Sequence, residues 1–436
     1  MDQNSHLHED VNNDTDTERY LLAALEDIIA NYPPPVHLRS QDSSEGYHGL
    51  WSGPTGIAYL LLHVSERRPD LRIAERLTIE WARKYCGLND DPDAEVDNEN
   101  GYPRFKKSQG CGIGNEKLAY EAVRCAIASR DGPPSLYCFQ EHKQHEKDAT
   151  RLSGQTNDNY LHHVHRFATS LSQISSSSSS YPDELLYGRA GALYLARLVR
   201  SWVPTTNPTV SEQVTSLLTP AITQLCHTIL SHGPPWHWHD RHYFGAVHGD
   251  IGILTQLVLT SPELAGHQAL RGLLSQLLDW QSDDDGNWPS SEEGWERGRD
   301  KGLVQFCHGA PGFVHSLLVL REYFPELQGR IDEAIRRGQE CVLRRVVIMK
   351  KEPSLCHGIF GNALALPNPH RARFLSLATP SSINRHRQAD PVVFQPADYG
   401  RPYSMTAGYT PSAAWVWLIW KEEHLGKGNM VGFNDI

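Results

Sequence analysis

The sequence lacks any long hydrophobic segment, including at its start. Residues 1–17 are polar and acidic, without the apolar stretch of a secretory signal or the roughly 20 apolar residues of a transmembrane helix. A sustained two-residue alternation of apolar and polar side chains, which is typical of half-buried β-strands, is also missing. These absences argue against a secreted, membrane-anchored or all-β protein.

An excess of basic residues is lacking as well. The chain has 41 Lys and Arg against 52 Asp and Glu, which gives a formal net charge of −11 at pH 7. A broad cationic surface for nucleic acid or for an anionic membrane is therefore not expected. Single basic residues can still bind a small anionic ligand.

The cysteines do not show the compact spacing of a disulfide framework. There are eight, at positions 86, 111, 125, 138, 226, 307, 341 and 356 of a 436-residue chain. In a reducing compartment most of them would be free thiols. We therefore predict a soluble, cytoplasmic protein.

What the sequence does contain is a repeated glycine turn, Gly-x-x-Gly, that runs into an apolar stretch. Five copies are clear, and the copies at 112–115 and 408–411 are degraded. In chain order the seven turns occupy residues 53–56, 112–115, 188–191, 249–252, 309–312, 358–361 and 408–411. A recurring unit of this kind is typical of repeat architectures in which each unit packs against its neighbours.

The spacing of the turns predicts helical hairpins. Turns recur at roughly 50 to 75 residues, which leaves room for one helix after each turn and a second helix that returns. Amphipathic stretches at 72–85, 210–230, 270–280 and 330–347 fit the returning helices. The sequence therefore predicts an all-α fold.

Polar segments set the predicted domain boundaries. We expect a disordered acidic tail over residues 1–17 and a single domain over 18–436. Polar insertions are predicted near 90–109 and 131–182; the second is rich in histidine and ends in a serine run that cannot bury enough apolar surface to order itself.

The glycine turns also suggest where a site would lie. Glycine permits close approach of the backbone, so consecutive inner helices can begin packed around one centre. Their N-termini carry partial positive charge and unpaired N–H groups, and they would converge at one mouth of a ring that suits an anionic or polarised substrate. The alternative for any single copy is a packing turn in a helical solenoid.

Two of the turns carry metal-ligand chemistry. Cys307 precedes one turn, and the adjacent Cys356 and His357 precede the next. Zn²⁺ accepts thiolate and imidazole ligands, and a catalytic site supplies three protein ligands and leaves one position open for water or a substrate thiol. The alternative is that these are small buried cysteines at tight turns.

Histidines at equivalent turn positions are candidate catalytic groups. His248 occupies the place in its turn that His308 and His357 occupy in theirs, so it too is expected to face the mouth. A neutral imidazole there could exchange a proton with substrate near pH 7, and His308 is a second candidate donor. The histidines at 232, 237, 239, 242 and 248 form a rival metal cluster, although the aromatic neighbours of those at 237 and 239 favour a loop that packs onto the ring of helices.

Several motifs resemble the lanthionine synthetase C-like (LanC-like) family from about residue 20 onward. They are Tyr-Phe-Gly-Ala-Val-His-Gly at 243–249, Gly-Asn-Trp-Pro at 286–289, Leu-Val-Gln-Phe-Cys-His-Gly-Ala-Pro-Gly at 303–312, Leu-Cys-His-Gly at 355–358 and Gly-Asn at 361–362. The Cys-His-Gly-Ala-Pro-Gly form is more similar to the eukaryotic branch than to the bacterial lantibiotic cyclases.

The resemblance implies an α/α toroid of seven inner and seven outer helices. It implies zinc bound by Cys307, Cys356 and His357, with His248 matching the family's acid/base histidine. Bacterial members add a peptide cysteine to dehydroalanine or dehydrobutyrine. Eukaryotic members use glutathione: they eliminate phosphate from phosphoserine or phosphothreonine and add glutathione to the dehydro residue, which forms a thioether.

The resemblance also implies substrate contacts. Lys351 stands where the eukaryotic group has a lysine linked to glutathione and phosphate handling, and Arg401 lies near the expected glutathione site. Glu184 falls where bacterial cyclases place an acidic partner, and Asp183 is equally well placed.

The chain departs from the family pattern at two places. Leu303 stands where bacterial enzymes have a basic residue four positions before the first zinc cysteine, so a role for arginine in stabilising an enolate does not carry over. In the seventh turn Pro411 replaces the closing glycine.

Two functions from different classes follow. The first is a zinc-dependent transferase in which glutathione attacks the β-carbon of a dehydroamino acid in a peptide or protein. The second is a zinc-containing binding or scaffold module that holds glutathione or a phosphopeptide without turnover, since a fold does not by itself establish a reaction.

Overall fold

The computed structural model describes residues 14–34, 49–88, 110–130, 145–176, 181–203, 208–345, 351–395, 403–420 and 430–436. The helices in chain order are α1 (Asp14–Asn31), α2 (Pro54–Arg67), α3 (Thr78–Tyr85), α4 (Glu116–Ala128), α5 (His145–Ser176), α6 (Arg189–Ser201), α7 (Pro208–His232), α8 (Asp250–Thr260), α9 (Gln268–Asp279), α10 (Glu292–Glu296), α11 (Ala310–Leu320), α12 (Gln328–Arg344), α13 (Ile359–Leu364), α14 (His370–Ser376), α15 (Pro380–Ala389) and α16 (Tyr409–Ile419). No described helix is both long enough and apolar enough to span a membrane.

The predicted α/α toroid is confirmed. There are seven inner helices, one for each turn: α2, α6, α8, α11, α13 and α16 begin at the second residue of their turns, and α4 begins directly after its turn. They are apolar on nearly every side, and almost all residues of α4, α8 and α11 are buried. A helix with this pattern is buried all round, as an inner ring requires.

The outer helices pack behind the inner ring. The inner helices α2, α4, α6, α8, α11 and α13 contact the outer helices α3, α5, α7, α9, α12 and α14 that follow them, and α1 covers α16. Outer helices bury one stripe only: α12, for example, buries Ile331, Ala334, Ile335 and Gly338. Contact between α16 and α2 closes the ring, so the first and last inner helices meet.

Glycine is required where the turns approach other backbone. At Gly309, where φ is +97°, an added Cβ would lie 2.0 Å from the carbonyl oxygen of Leu303. At Gly361 it would lie 1.9 Å from the carbonyl oxygen of Leu355. No side chain fits at such distances, so the close approach of the turn backbone to these carbonyl oxygens requires glycine at both positions.

Two short antiparallel hairpins interrupt the helices. The first pairs β1 (Arg72–Ile73) with β2 (Arg76–Leu77), and the second pairs β3 (His237–Trp238) with β4 (Arg241–His242). His239 and Asp240 join β3 to β4 with φ values of 50° and 57°, which is the type I′ geometry that suits a two-residue hairpin.

Three predicted boundaries need correction. The helix α1 begins at Asp14, inside the tail predicted over residues 1–17, whose first 13 residues lie outside the described residues. The stretch 72–85, predicted as one helix, forms the β1–β2 hairpin and then α3. The insertion predicted near 131–182 contains the outer helix α5, since Tyr160, Val164 and Phe167 recur at helical spacing and are buried. The insertion predicted at 90–109 lies outside the described residues.

The last described segment, residues 430–436, is buried among the inner helices. The hydroxyls of Tyr59 in α2 and Tyr194 in α6 donate to the Asp435 carboxylate over 2.8 and 2.9 Å. Gln256 of α8 donates to the carbonyl oxygen of Phe433 over 3.0 Å, and the ring of that phenylalanine meets Phe306 at a centroid distance of 5.2 Å. This segment therefore ties several inner helices together.

Candidate functional site

The three predicted metal ligands are brought together by two neighbouring inner helices. Cys307 precedes α11, and Cys356 and His357 precede α13. One ligand atom from each lies within 4.8 Å of the other two, and the Cys356 Sγ is 3.5 Å from the His357 Nε2. The two helices are joined beneath the site, where His315 of α11 hydrogen-bonds the carbonyl oxygen of Gly361 over 3.1 Å.

This donor set fits a metal ion that prefers sulfur and nitrogen. Zn–S bonds of about 2.3 Å and Zn–N bonds of about 2.1 Å in a tetrahedron place neighbouring ligand atoms about 3.6 Å apart. The observed 3.5 Å separation between Cys356 and His357 matches that spacing. Across the described residues, these three form the only group of three or more His, Cys, Asp or Glu side chains close enough to hold an ion.

The two thiols have pKa values shifted in opposite directions. Burial would raise the pKa of Cys307, but a hydrogen bond from Cys356 and the imidazoles of His357 and His308 lower it well below the usual value. Burial and the adjacent Cys307 sulfur raise the pKa of Cys356 well above its usual value. The side-chain amide of Gln305 also donates to the Cys307 Sγ over 3.1 Å. The protein alone thus favours one thiolate, and a cation would favour two.

His248 is held by Glu184. The His248 Nδ1 lies 2.7 Å from the Glu184 Oε2, and the carboxylate is 1 % exposed. The backbone N–H groups of Leu186, at 3.0 Å, and Tyr187 also donate to this carboxylate. With three donors the Glu184 carboxylate is fixed in place, and Nε2 is the ring nitrogen of His248 left for substrate.

Aromatic rings fix the plane of this imidazole. Trp238 of the β3–β4 hairpin stacks on His248 with a centroid distance of 3.9 Å and an interplanar angle of 6°. Tyr187 is parallel to His248 within 12° at 6.4 Å. The β3–β4 hairpin therefore packs against the ring of helices at His248, as the aromatic neighbours of its histidines predict.

His308, the second candidate proton donor, faces the first. The His308 and His248 ring centroids are 6.2 Å apart. The His308 Nδ1 is buried and has no hydrogen-bond partner among the described residues. Burial lowers the pKa of His308, although Cys307 opposes the shift, so the imidazole favours its neutral form near pH 7.

One cavity of about 590 Å³ joins these groups. Its lining comes from the residues just before six of the seven inner helices. It includes Trp51 and Ser52 before α2, Leu186 and Tyr187 before α6, Val247 and His248 before α8, Lys301, Leu303, Gln305, Cys307 and His308 before α11, Lys351, Cys356 and His357 before α13, and Ser404 before α16. The convergence of helix N-termini at one mouth is what the repeated turns predict.

The predicted substrate contacts have different outcomes. Lys351 lines the cavity. Glu184 is not among the residues that line the cavity: it is buried and bonds the Nδ1 of His248, and its predicted role in binding substrate stays a prediction. Arg401 lies outside the described residues.

Asp183 and the rival histidines are engaged elsewhere. Asp183 bonds Arg189 over 2.7 Å and His232 over 2.9 Å. His242 lies between Asp250, at 2.7 Å, and Glu292, at 2.8 Å. These contacts leave Glu184, of the two adjacent acids, as the partner of His248.

Sequence reasoning missed three contributors to the site. Trp238 was noticed only as an aromatic neighbour of histidines, and Lys301 and Gln305 were not singled out. A signal existed for the last two, because both lie within six residues of Cys307 in the segment that forms the turn. Nothing in the sequence indicates that Trp238 reaches His248, since a hairpin sets that contact.

Comparison with known proteins finds similarity to one protein family. A model of the lanthionine synthetase C-like protein family matches residues 135–371. Glutathione S-transferase LANCL1 of Danio rerio is 29 % identical over 198 residues, which cover 42 % of this chain and 45 % of that protein. LanC-like protein GCL1 of Arabidopsis thaliana is 28 % identical over 198 residues, covering 43 % and 42 %. These alignments thus span under half the length of both relatives.

The fold is also found in a solved structure. Nisin cyclase superposes with a TM-score of 0.50 at 12 % identity, covering 92 % of this chain and 94 % of the cyclase chain. At this identity the likeness concerns the fold alone, and it agrees with the ring of inner and outer helices. Since the family model spans more than half of the sequence, the chain belongs to the lanthionine synthetase C-like family.

Proposed function

We propose that this protein is a zinc-dependent transferase that adds the thiol of glutathione to dehydroalanine or dehydrobutyrine residues in peptides or proteins. The observation that carries the proposal is the group of Cys307, Cys356 and His357 at the wall of a cavity that also contains His248 and Lys351. The name of the Danio rerio relative, a glutathione S-transferase, supports the choice of thiol.

Cys307, Cys356 and His357 would hold the metal. A zinc ion bound there lowers the pKa of a substrate thiol and so supplies thiolate at neutral pH. Gln305 keeps the Cys307 sulfur oriented through its amide. Three protein ligands would leave a further position for a substrate thiol.

The imidazole of His248 would move the proton. Addition forms a C–S bond at the β-carbon and breaks the C=C π bond, whose electrons form an enolate. The α-carbon then takes a proton, which the Nε2 of His248 can deliver after accepting the thiol proton. Glu184 on Nδ1 holds the ring in the orientation that this transfer requires. His308 is the alternative donor, because its ring lies 6.2 Å from that of His248 and lines the same cavity.

Charge at the mouth would hold the substrates. Lys351 can pair with a carboxylate of glutathione or with a phosphate. The N-termini of the inner helices would stabilise the negative charge that develops on the enolate. Arg401 remains a predicted glutathione contact.

The same residues could first eliminate phosphate from phosphoserine or phosphothreonine, which generates the dehydro residue. That step removes the α-proton and expels phosphate, so it needs a base and a cation, and His248 and Lys351 can serve in these roles. Glutathione and phosphopeptides are thus the proposed partners. A cytoplasmic location, where reduced glutathione is plentiful, is part of the same proposal.

The test is direct detection of the product. Purified protein is incubated with glutathione and a dehydroalanine peptide, and in parallel with a phosphothreonine peptide, and mass spectrometry reads the thioether adduct. We expect adduct from wild type, none above background from Cys307→Ser, and wild-type yield from Cys226→Ser, which changes a buried cysteine elsewhere. If zinc-loaded wild type binds glutathione but forms no adduct, the protein is a binding module instead.

A further inference from the structure

A second, smaller pocket adjoins the metal cavity and is surrounded by cations. It has a volume of about 260 Å³ and shares Lys301 and His308 with the larger cavity. Its lining includes Arg241 of β4 and, after α10, Arg297 and Arg299. We call this the basic pocket.

The four cations of the basic pocket are not used by the fold. None of Arg241, Arg297, Arg299 or Lys301 forms an ion pair or a side-chain hydrogen bond with another described residue, and all four side chains are exposed. Other arginines near this part of the chain do pair: Arg345 with Asp285 over 2.6 Å, for example.

The two acids of the basic pocket offset only part of its positive charge, and both are hydrogen-bonded to backbone N–H groups. Glu293 accepts from the N–H of His242 over 3.0 and 3.3 Å. Asp300 accepts from the N–H of Ser290 over 2.6 Å and of Gly302 over 2.7 Å. Two carboxylates against four cations leave net positive charge, in a protein whose formal net charge is −11.

We propose that the basic pocket binds acidic side chains of the peptide substrate, on the segment next to the reacting residue. The cations are spread over a β-strand and a loop, which suits several carboxylates along an extended segment better than one compact anion. Because His308 and Lys301 line both cavities, a segment held in the basic pocket leads its neighbouring residue toward the candidate metal centre. The pocket thus selects acidic sequence context for the proposed function, on which this inference rests.

Binding to the basic pocket can be measured without any reaction. The probe is a short fluorescein-labelled peptide with several glutamates and no serine, threonine or cysteine; a second peptide has glutamine at the same positions. Fluorescence anisotropy gives Kd without glutathione. We expect tighter binding of the glutamate peptide, and a loss of about fivefold to tenfold when Arg297→Gln and Arg299→Gln are combined.

The matched control combines Arg200→Gln with Arg373→Gln, which removes the same charge at exposed positions outside the basic pocket. This control should bind the glutamate peptide as wild type does, and the affinity of wild type should fall as salt is raised. Equal Kd values for the two peptides, or an equal loss in both double variants, would overturn the proposal.

The outcome does not depend on the transferase assay. A protein that forms no thioether can still prefer the glutamate peptide, and an active enzyme can bind both peptides equally. Failure of the basic pocket and failure of the proposed function are thus distinguishable.

Discussion

Glu184 and Asp183 are neighbours in the chain, yet they hold different groups. Glu184 fixes His248 at the cavity, whereas Asp183 bonds Arg189 and His232 away from it. The difference arises because the turn before α6 directs one carboxylate inward, beneath two backbone N–H groups. Of two adjacent acids with equal standing in the sequence, one therefore contacts His248 and the other does not.

Glu184→Gln tests the positioning role. The Oε2 of Glu184 serves both the N–H of Leu186 and the Nδ1 of His248, whereas its Oε1 serves the N–H of Tyr187. An amide has only one acceptor oxygen, so either the N–H of Tyr187 loses its acceptor or the amide nitrogen faces His248 and imposes the wrong tautomer. We expect kcat for thioether formation to fall by at least about tenfold, with KM for glutathione and zinc content unchanged. Steady-state kinetics and metal analysis provide the readout.

Asp183→Asn is the matched control for this substitution. It weakens the contact with Arg189 and should lower the melting temperature while kcat of the folded protein stays near wild type. Equal loss of kcat in both variants would mean that Glu184 acts only through general stability.

At the scale of elements, the turns before the inner helices set the site. Gly309 is the position where this is most stringent, because its φ is +97° and a Cβ would meet the Leu303 carbonyl oxygen at 2.0 Å. Gly309→Ala should lower the free energy of unfolding by about 2 kcal/mol or more, since both strain and overpacking result. Urea unfolding measures it.

Gly272→Ala is the contrasting variant. Gly272 lies inside α9 with nothing within 4 Å of an added Cβ. This change should raise stability by up to about 1 kcal/mol, because alanine is the better helix former. If both glycine variants behaved alike, the account of the turn would be wrong.

The β3–β4 hairpin is fastened by a titrating group. Burial works against protonation of His242, but Asp250 and Glu292 raise its pKa to about 9. Because the pKa of His242 in the folded protein lies above its ordinary value of 6.5, protonated His242 stabilises the fold. Its contribution to the free energy of unfolding is fully present below pH 6.5 and is lost as the pH rises through about 9. Burial also raises the pKa of Asp250, which offsets part of the gain.

His242→Gln should remove this pH dependence. We expect wild type to exceed the variant by about 1–2 kcal/mol at pH 6 and by clearly less at pH 10, from urea unfolding at both values. A difference that does not change with pH would show that the imidazolium contributes nothing. Trp238 belongs to this hairpin, so its stacking on His248 depends on the bonds of His242 to Asp250 and Glu292.

The elements differ in how far the sequence predicts them. The seven turns and the inner helices follow from glycine and apolar runs that are visible in the sequence. The candidate ligands Cys307, Cys356 and His357 could be picked out because thiol and imidazole groups stand just before two of these turns, and the structure brings them together. The helix α5 was missed because its polar and histidine-rich composition outweighed the apolar spacing of residues such as Tyr160 and Phe167. Trp238 was missed because its contact with His248 is non-local.

At the scale of the whole molecule, residues 430–436 join inner helices that are far apart in the chain. Phe433→Ala should cost about 3–5 kcal/mol, because it opens a cavity between this segment and Phe306. Differential scanning calorimetry should show one cooperative transition at lower temperature. A melting temperature equal to that of wild type would mean that the segment does not tie the ring together.

The central claim is that one metal ion is held by Cys307, Cys356 and His357, and metal analysis of the purified protein tests it most directly. Protein expressed with zinc and purified without chelators should contain about one zinc per chain. Cys307→Ala should lose that zinc, and Cys226→Ala should keep it. A folded wild-type protein without zinc, or zinc retained in Cys307→Ala, would contradict the account.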